Sequence, residues 1–505
     1  MEPTPKVQQA QVRKSQVKSK IKNTQKPIKS RKDKNTEKNC SYAKPSMLLL
    51  RTVTFLLAFF AANCAIQNFE ECGGIVDDCS DDTAWHNGRL LNKTLASLKP
   101  GDTLVIPEGK NFHLMGGVEV SDLSNVTISI DGKLTFTTAI KHWPVGKNKR
   151  VKECLKFIRP RNVKFTSSGQ GELDGNGKKW WGTPGIGYLE RGENRPRLFH
   201  VAFGENILVE NLKFINSPYW TFWVHNVKGL ETRNCHIDAR RTDNDGHDTI
   251  DMTAFNTDGF DVTGRDVWIH DSTIWCQDDT IAVKDDSQNM LFERIEASGV
   301  GITIGSIGDS LVKNITFRDI HMHKPYKGIY TKFREDGGTI EDVLFENIYI
   351  DRPSQWPIWI GPAQQSDSSN LCASHPCSIC WPDVPFAKCH APLSKYRNMH
   401  LKNVTIVDPE KAPGVIIGHK NAKMENIVFE DVVVVRKNTK KKQYFKCEGV
   451  ESGIATGKTH PVPPCFEDQT DDKDKHQHKK KKHHHKKHKH HHKKHKNLRV
   501  AVAEE

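Results

Sequence analysis

The sequence has few apolar residues and lacks a long apolar segment. Hydrophobic residues make up 36% of the 505 residues, a small share for a packed chain of this length. The longest uninterrupted apolar run begins at Phe55 and covers about eight residues, which is short for a segment that must cross a bilayer. No segment keeps an apolar period of about 3.6 residues over ten or more positions, which excludes a helical architecture.

Acidic residues are scarce at both ends of the chain. Residues 1–46 and 473–505 together carry a charge of about +20, while the formal net charge of the whole chain is +14. The middle of the chain is therefore acidic by about six charges. The basic balance belongs to the ends, and it gives no reason to expect a nucleic-acid partner. We predict disorder for the basic extension 1–46 and for the Lys/His-rich tail 471–505.

Residues 47–65 have the composition of a secretory signal peptide. Met47 begins a segment with one arginine, an apolar run and small residues at Ala62 and Ala65. We predict a cleaved signal peptide that starts at Met47 and leads to a secreted protein. A signal anchor that stays in the membrane is the alternative.

Secretion predicts disulfide bonds, because the extracellular compartment is oxidising. Cys372, Cys377, Cys380 and Cys389 form a cluster that could bind zinc in a reducing compartment, and here predicts disulfides. Four Asn-x-Ser/Thr sequences are compatible with a glycosylated surface, at Asn92, Asn125, Asn314 and Asn403.

Short apolar strands recur through the middle of the chain, most of them after Asn or Asp. Successive repeats align at Ile207, Leu230, Val267, Met290, Ile315, Val343, Met399 and Ile427. The steps between them are 23, 37, 23, 25, 28, 56 and 28 residues. Steps of about 23–28 residues fit one coil of a β-solenoid, whereas a propeller blade needs about 40–50. The two longer steps indicate either a coil with an insertion or two coils with one strand unrecognised.

The repeats predict an all-β fold, a parallel β-helix that occupies residues 66–470. Val, Ile and Phe would stack inside the coils, and Asn, Asp and Gly would form the turns. The segment from Asp81 predicts a helix that caps the open N-terminal end, since an uncapped solenoid exposes its core.

Two acidic motifs interrupt the repeats, NTDGFD from Asn256 and CQDD from Cys276. Asp258 and Asp278 are 20 residues apart, about one coil, and adjacent strands lie about 4.8 Å apart. Asp258, Asp278 and Asp279 should therefore lie in one patch, where like charges raise at least one pKa. A protonated acid beside ionised carboxylates is the arrangement of glycoside hydrolysis. Aspartate is also common in solenoid turns, so a purely structural role stays equally open on composition alone.

These motifs resemble glycoside hydrolase family 28, the polygalacturonases. NTDG, QDD and SGVGITIGSIG (298–308) follow the family's order, and DGNGKKWW (174–181) and NSPYWTFWV (216–224) match its upstream pattern. The resemblance covers about residues 70–435. It implies a right-handed β-helix and inverting hydrolysis of α-linked uronic-acid polymers, with no cofactor and no metal.

The resemblance also implies roles for individual residues. Asp278 would protonate the leaving oxygen, Asp258 and Asp279 would hold and deprotonate the water, and Asn256 and Gln277 would support them. One conflict is visible, because carboxylates about 5 Å apart are typical of retaining enzymes. We follow the family pattern and predict inversion.

Two recognition residues of the family are replaced in this sequence. Val300 stands where the family has a histidine between two glycines, and Tyr330 stands for the arginine of an arginine–hydrophobic–lysine motif. Lys332 is kept and can neutralise a substrate carboxylate, but the bidentate clamp of an arginine is lost unless Arg334 replaces it. We predict that substrate is bound by Asn256, Gln277, Lys332, Tyr330 and Arg334. The two replacements weigh against plain homogalacturonan as the polymer.

Two other functions remain open from the sequence. A non-catalytic glycan-binding or cell-wall structural protein would account for the lost histidine and arginine. A pectate-lyase-like eliminase would share the fold but would need calcium and a basic proton acceptor. For the favoured hydrolase we predict an acidic polysaccharide as partner and a monomeric, secreted protein at the cell wall. The Lys/His tail would be either a solvated segment or a polycation that binds anionic cell-wall surfaces.

Overall fold

The structure is a computed structural model, and it describes residues 65–183, 192–243, 251–365, 372–373, 375–437 and 444–471. The predicted extension 1–46, the signal peptide and the tail lie outside the described residues, apart from the boundary residues Ala65 and Asp471. No described helix is both long and apolar enough to cross a membrane.

Short parallel strands make up most of the described chain. The helix α1 spans Asp81–Ser97, and short 3-10 helices span Ile140–His142, Gly177–Lys179 and Asp251–Ala254. The strands are β1 (Ile66–Asn68), β2 (Thr103–Ile106), β3 (Asn111–Leu114), β4 (Val118–Ser121), β5 (Thr127–Ile130), β6 (Lys133–Phe136), β7 (Leu155–Ile158), β8 (Arg161–Thr166), β9 (Glu172–Asp174), β10 (Phe199–Ala202), β11 (Glu205–Glu210), β12 (Lys213–Ile215), β13 (Phe222–Arg233), β14 (His236–Asp238), β15 (Phe260–Trp275), β16 (Ile281–Val283), β17 (Gln288–Ser298), β18 (Ile302–Ile307), β19 (Leu311–His323), β20 (Ile329–Phe333), β21 (Thr339–Asp351), β22 (Ile358–Pro362), β23 (Gln364–Gln365), β24 (Cys377–Ser378), β25 (Lys395–Val407), β26 (Gly414–Ile417), β27 (Glu425–Val435), β28 (Phe445–Glu448), β29 (Gly453–Gly457) and β30 (Glu467–Thr470).

The chain winds as a right-handed parallel β-helix, as predicted. Twenty-eight strands form one continuous parallel sheet, and crossovers between parallel strands are right-handed in nearly all proteins. Each coil contributes to three faces. One of them, which we call the cleft face, consists of β4, β7, β10, the starts of β13 and β15, and then β16, β18, β20, β22, β26 and β28.

The two long repeat steps are coils with insertions. Every pair of consecutive repeat positions predicted from the sequence is a pair of neighbours in the sheet. Leu230 therefore pairs directly with Val267, and Val343 pairs directly with Met399. The alternative of two coils with an unrecognised strand is wrong, because no further coil lies between the paired strands.

Stacked side chains hold the coils at a fixed spacing. Inside the core the rings of Phe292, Phe317 and Phe345 stack at 4.9 and 5.1 Å. In one stack of turns the Asn162 amide donates to Asn125 Oδ1 at 3.0 Å, and the Asn206 amide on the next coil donates to Asn162 Oδ1 at 3.1 Å. These asparagines adopt positive φ angles, which Asn tolerates better than most residues.

The helix α1 closes the N-terminal end of the core, as predicted. The side-chain oxygen of Ser80 accepts a hydrogen bond from the Thr83 N–H and caps the first turn. Leu91 and Leu95 are buried among the first coils, with exposed fractions of 2% and 1%. The apolar side of the helix thus covers core residues that the first coil would otherwise expose.

The cysteine cluster forms disulfides rather than a zinc site. Cys372 pairs with Cys380, and Cys377 pairs with Cys389. A third disulfide joins Cys447 and Cys465 near the C-terminal end. Pairing is incomplete, however, since buried thiols remain at Cys154, Cys235 and Cys276.

Candidate active site

The three predicted catalytic aspartates lie together in the turns that lead into the cleft face. Asp258 precedes β15, and Asp278 and Asp279 precede β16 on the next coil. The N–H of Gly259 donates to the Asp279 carbonyl at 3.0 Å, which stacks the two turns. A Cβ atom at Gly259 would lie 2.4 Å from the Thr280 carbonyl oxygen, so this approach requires glycine. One carboxylate oxygen from each aspartate lies within 4.8 Å of the other two.

Burial and mutual repulsion raise the pKa values of two of the three aspartates. Burial, followed by the charges of Asp261 and Asp278, raises the pKa of Asp258 well above its ordinary value. Burial and then the charge of Asp279 raise the pKa of Asp278. Asp258 Oδ1 has no hydrogen-bond partner among the described residues. Both side chains therefore have the property of a general acid, whereas the sequence pointed to Asp278 alone.

Asn256 positions Asp278. Its backbone N–H and its side-chain Nδ2 both donate to Asp278 Oδ2, at 3.1 and 3.2 Å. Asn256 has a φ of 56°, a left-handed conformation that favours Asn. Arg195 Nη2 donates to Asn256 Oδ1 at 2.9 Å, and this bond turns the amide nitrogen toward Asp278. The Asp279 N–H donates to the second oxygen of Asp278 at 2.9 Å.

Asp279 is held by a cation and a hydroxyl. Lys332 Nζ lies 2.9 Å from Asp279 Oδ2, and the Thr303 hydroxyl donates to Asp279 Oδ1 at 2.8 Å. The side chains of Lys332 and Asp279 are only 12% and 3% exposed. Lys332 therefore already has an anionic partner.

The remaining predicted residues lie around this centre. Gln277 is buried, and its N–H donates to the Thr257 hydroxyl at 3.0 Å. The Tyr330 phenol accepts a hydrogen bond from the Gln364 N–H, and Lys332 Nζ lies 4.0 Å from the centre of the Tyr330 ring. Arg334 forms an ion pair with Asp285 at 2.9 Å.

A surface cleft of about 490 Å³ runs along the cleft face. Its wall includes the rings of Trp220, Trp223 and His225 and the charged side chains of Lys284 and Arg334. Trp223 stacks on His225 at 4.6 Å, and the Arg197 guanidinium covers Trp223 at 4.1 Å. Rigid flat rings beside cationic groups suit a sugar that carries a carboxylate.

An ion pair that the sequence reasoning missed links the aspartates to this cleft. Asp261 is fully buried, and Lys284 Nζ lies 3.0 Å from its Oδ1. Burial raises the pKa of Asp261 to about 6. Asp261 ends the NTDGFD motif, so a signal for it was present. Arg195 could not have been found in this way, because it lies 61 residues from Asn256 and belongs to no motif.

Two groups in the described chain have donor atoms close enough to share one metal ion. One is the set of three aspartates, and the other is Glu296, His321 and His323 on another face. The predicted absence of a metal and of a cofactor stays a prediction.

A substitution of Asp261 can distinguish the two candidate acids. Among charged groups, Asp261 has the largest effect on the pKa of Asp258, whereas Asp279 has the largest effect on that of Asp278. An acid is active while protonated, so kcat/KM should fall as the pH rises through its raised pKa. With Asp278 as the acid, we expect Asp261→Asn to leave this alkaline fall in place. If Asp258 is the acid, the substitution removes a repelling charge, lowers its pKa and moves the fall to lower pH. The pH profile of kcat/KM on a uronic-acid polymer measures the difference.

Grouped carboxylates beside a cleft lined with aromatic rings define a carbohydrate-cleaving enzyme. The comparison with known sequences gives the family. The pattern of Glycosyl hydrolases family 28 matches residues 100–456, and the chain belongs to this family. It is therefore a glycoside hydrolase.

Individual relatives are distant in sequence, but their alignments cover more than half of the chain. The "Probable exopolygalacturonase B" of Neosartorya fischeri is 22% identical over 378 residues, covering 68% of this chain and 79% of that protein. The "Probable endo-xylogalacturonan hydrolase A" of Aspergillus niger is 27% identical over 272 residues, covering 52% of this chain and 64% of that protein.

Solved structures confirm the fold. The endo-xylogalacturonan hydrolase from Aspergillus tubingensis aligns with a TM-score of 0.57 at 19% identity, covering 80% of this chain and 100% of that chain. The polygalacturonase from Erwinia carotovora ssp. carotovora aligns with a TM-score of 0.52 at 19% identity, covering 79% and 98%.

Proposed function

We propose that this protein hydrolyses glycosidic bonds in an acidic, pectin-like polysaccharide. The observation that carries the proposal is the grouping of Asp258, Asp278 and Asp279 within 4.8 Å beside a cleft whose walls hold aromatic rings and charged side chains of both signs. The relatives named for polygalacturonan and xylogalacturonan support a galacturonan substrate.

The geometry suggests how the reaction would proceed. Asp278, held by Asn256 and with its pKa raised by burial and by the charge of Asp279, would give its proton to the leaving oxygen. Asp279, paired with Lys332, would take the proton from the attacking water, and Asp258 would help to hold that water. Asn256 and Gln277 would fix these turns, and Tyr330, Lys332 and Arg334 would line the path of the polymer. We propose a single displacement with inversion.

Product analysis tests the proposal. The full chain should release reducing ends from homogalacturonan, rhamnogalacturonan or xylogalacturonan, and none from a neutral galactan of similar length. The anomeric configuration of the first product, observed by NMR, decides between inversion and the retention that closely spaced carboxylates favour. An unsaturated product that disappears with a chelator would instead indicate elimination. Polymer binding without any product would indicate a binding protein.

We also propose that the protein is secreted as a monomer and works at the cell wall. The disulfides Cys372–Cys380, Cys377–Cys389 and Cys447–Cys465 support an oxidising compartment. The basic Lys/His tail would bind anionic wall glycans. N-terminal sequencing of the extracellular protein checks this, and a chain that retains residues 47–65 would contradict cleavage.

A further inference from the structure

A buried lysine stands in the same stack of turns as the predicted general acid. The Val300 N–H donates to the Asp278 carbonyl at 2.7 Å, and the Lys327 N–H donates to the Val300 carbonyl at 2.7 Å. The three residues thus occupy equivalent turns on three consecutive coils. Val300 is the residue that replaces the family's histidine, and the next coil along the stack presents a cation.

Aromatic rings surround the ammonium group of Lys327. Its Nζ lies 5.0 Å from the ring centre of Tyr330, 5.3 Å from that of Trp359 and 5.4 Å from that of Tyr326. Val300 packs against the same aromatic cluster. Ring faces attract cations, so this surround stabilises a positive charge without neutralising it.

Lys327 forms no ion pair with a described carboxylate, although it is only 4% exposed. The Asp279 carboxylate, whose charge favours the ammonium form of Lys327, is already paired with Lys332. Lysines are almost never this deeply buried unless they are paired. Burial, reinforced by the charge of Lys332, lowers the pKa of Lys327 to about 7. A bound anion would offset the cost of burying the ammonium group and keep it charged.

Three other cations of the site already have carboxylate partners. Lys332 pairs with Asp279 at 2.9 Å, Lys284 pairs with Asp261 at 3.0 Å, and Arg334 pairs with Asp285 at 2.9 Å. Each of these cations is therefore partly neutralised before a substrate arrives. Arg195, which is also buried, donates instead to Asn256 and to backbone carbonyls. Within the described part of the site, Lys327 is thus the lysine that has no ion pair.

We propose that Lys327, in its surround of Tyr326, Tyr330 and Trp359, is a binding site for a carboxylate of the substrate. The proposal rests on the proposed function, since it takes the ligand to be a uronate residue of the polymer. The carboxylate would replace the missing counterion and would be recognised by one ammonium group instead of the family's arginine fork. Lys327 is then a residue that determines specificity for charged over neutral sugars.

The test compares Lys327→Met with the wild-type full chain on polygalacturonate and on the same polymer after reduction of its carboxyl groups. Methionine keeps the length and the packing on the rings but removes the charge. We expect KM for polygalacturonate to rise about ten- to a hundredfold with little change in kcat, since a hydrogen bond to a charged group is lost. Any activity on the reduced polymer should be unchanged. Lys402→Met, which removes an exposed lysine paired with Glu346 on another face, controls for net charge.

A second measurement separates this proposal from the proposed function. Calorimetric titration with a galacturonate oligosaccharide reports binding whether or not the bond is cut. A wild-type chain that binds but releases no product would contradict the proposed hydrolase and still test Lys327. The inference is overturned if Lys327→Met binds the oligosaccharide as tightly as the wild type, or if it loses the charged and the reduced polymer equally.

Discussion

Asp278→Asn is expected to lower kcat by a factor of about 10² to 10⁴, because a carboxamide has the shape of the acid and no proton to give. KM should change little, since the hydrogen bonds that hold this side chain come from Asn256 and Asp279 rather than from substrate. Initial rates of reducing-end release on the polymer that the wild type prefers, over a range of concentrations, measure both constants.

The stability of the same variant makes the result interpretable. Asp278→Asn relieves the repulsion among three crowded acids but gives up an N–H hydrogen bond, because the new amide nitrogen cannot accept one, so the melting temperature should shift by only about a few degrees. Asp319→Asn is a suitable control, because Asp319 lies on another face in a left-handed conformation that Asn also tolerates, and its Oδ1 accepts a hydrogen bond from Asn347. That control should keep full activity. A fully active, folded Asp278→Asn protein would remove Asp278 from the acid role and leave Asp258 as the candidate.

Lys332→Met is expected to lower the free energy of unfolding by about 3–5 kcal/mol and to abolish most activity, since it leaves the buried Asp279 carboxylate without its cation. The Thr303 hydroxyl would remain as the described side-chain donor to that carboxylate. Thermal melting and denaturant unfolding measure the stability, and initial rates measure the activity.

A double variant tests whether this loss comes from the unpaired charge. Lys332→Met combined with Asp279→Asn has neither charge, so it should recover much of the stability while staying inactive. The four proteins of the cycle give the coupling between the two side chains. If Lys332→Met alone melts like the wild type, Asp279 is not an ionised partner of Lys332, and its role as the base fails with it.

The repeats made the fold predictable because each coil obeys the same local rules. An inward Val, Ile or Phe and a turn Asn recur in register, so positions such as Ile315 and Val343 could be paired from spacing alone. The insertions could not be resolved in this way. A step of 56 residues has the length of two coils, and only the direct pairing of Val343 with Met399 excludes the second.

The site was predictable where its chemistry lies within motifs and not where partners meet across coils. Asp258, Asp278 and Asp279 were recognisable because one coil separates two short acidic motifs. The pairings of Lys332 with Asp279 and of Arg334 with Asp285 depend on side-chain directions that spacing does not encode. The Asp285 pairing also changes the expectation for Arg334, whose guanidinium is partly neutralised before it could clamp a substrate.

The insertions in the coils have a consequence for how this enzyme could acquire new substrates. Leu230 and Val267 stay paired across an excursion, as do Val343 and Met399, so a loop can lengthen without displacing the rungs on either side. The excursion between β14 and β15 ends in the turn that carries Asn256 and Asp258, whereas the excursion between β22 and β25 carries none of the three aspartates. At this second excursion selectivity and chemistry can thus evolve independently, and grafting the loop between β22 and β25 from a relative should alter which polymer is accepted while the cleavage machinery stays intact.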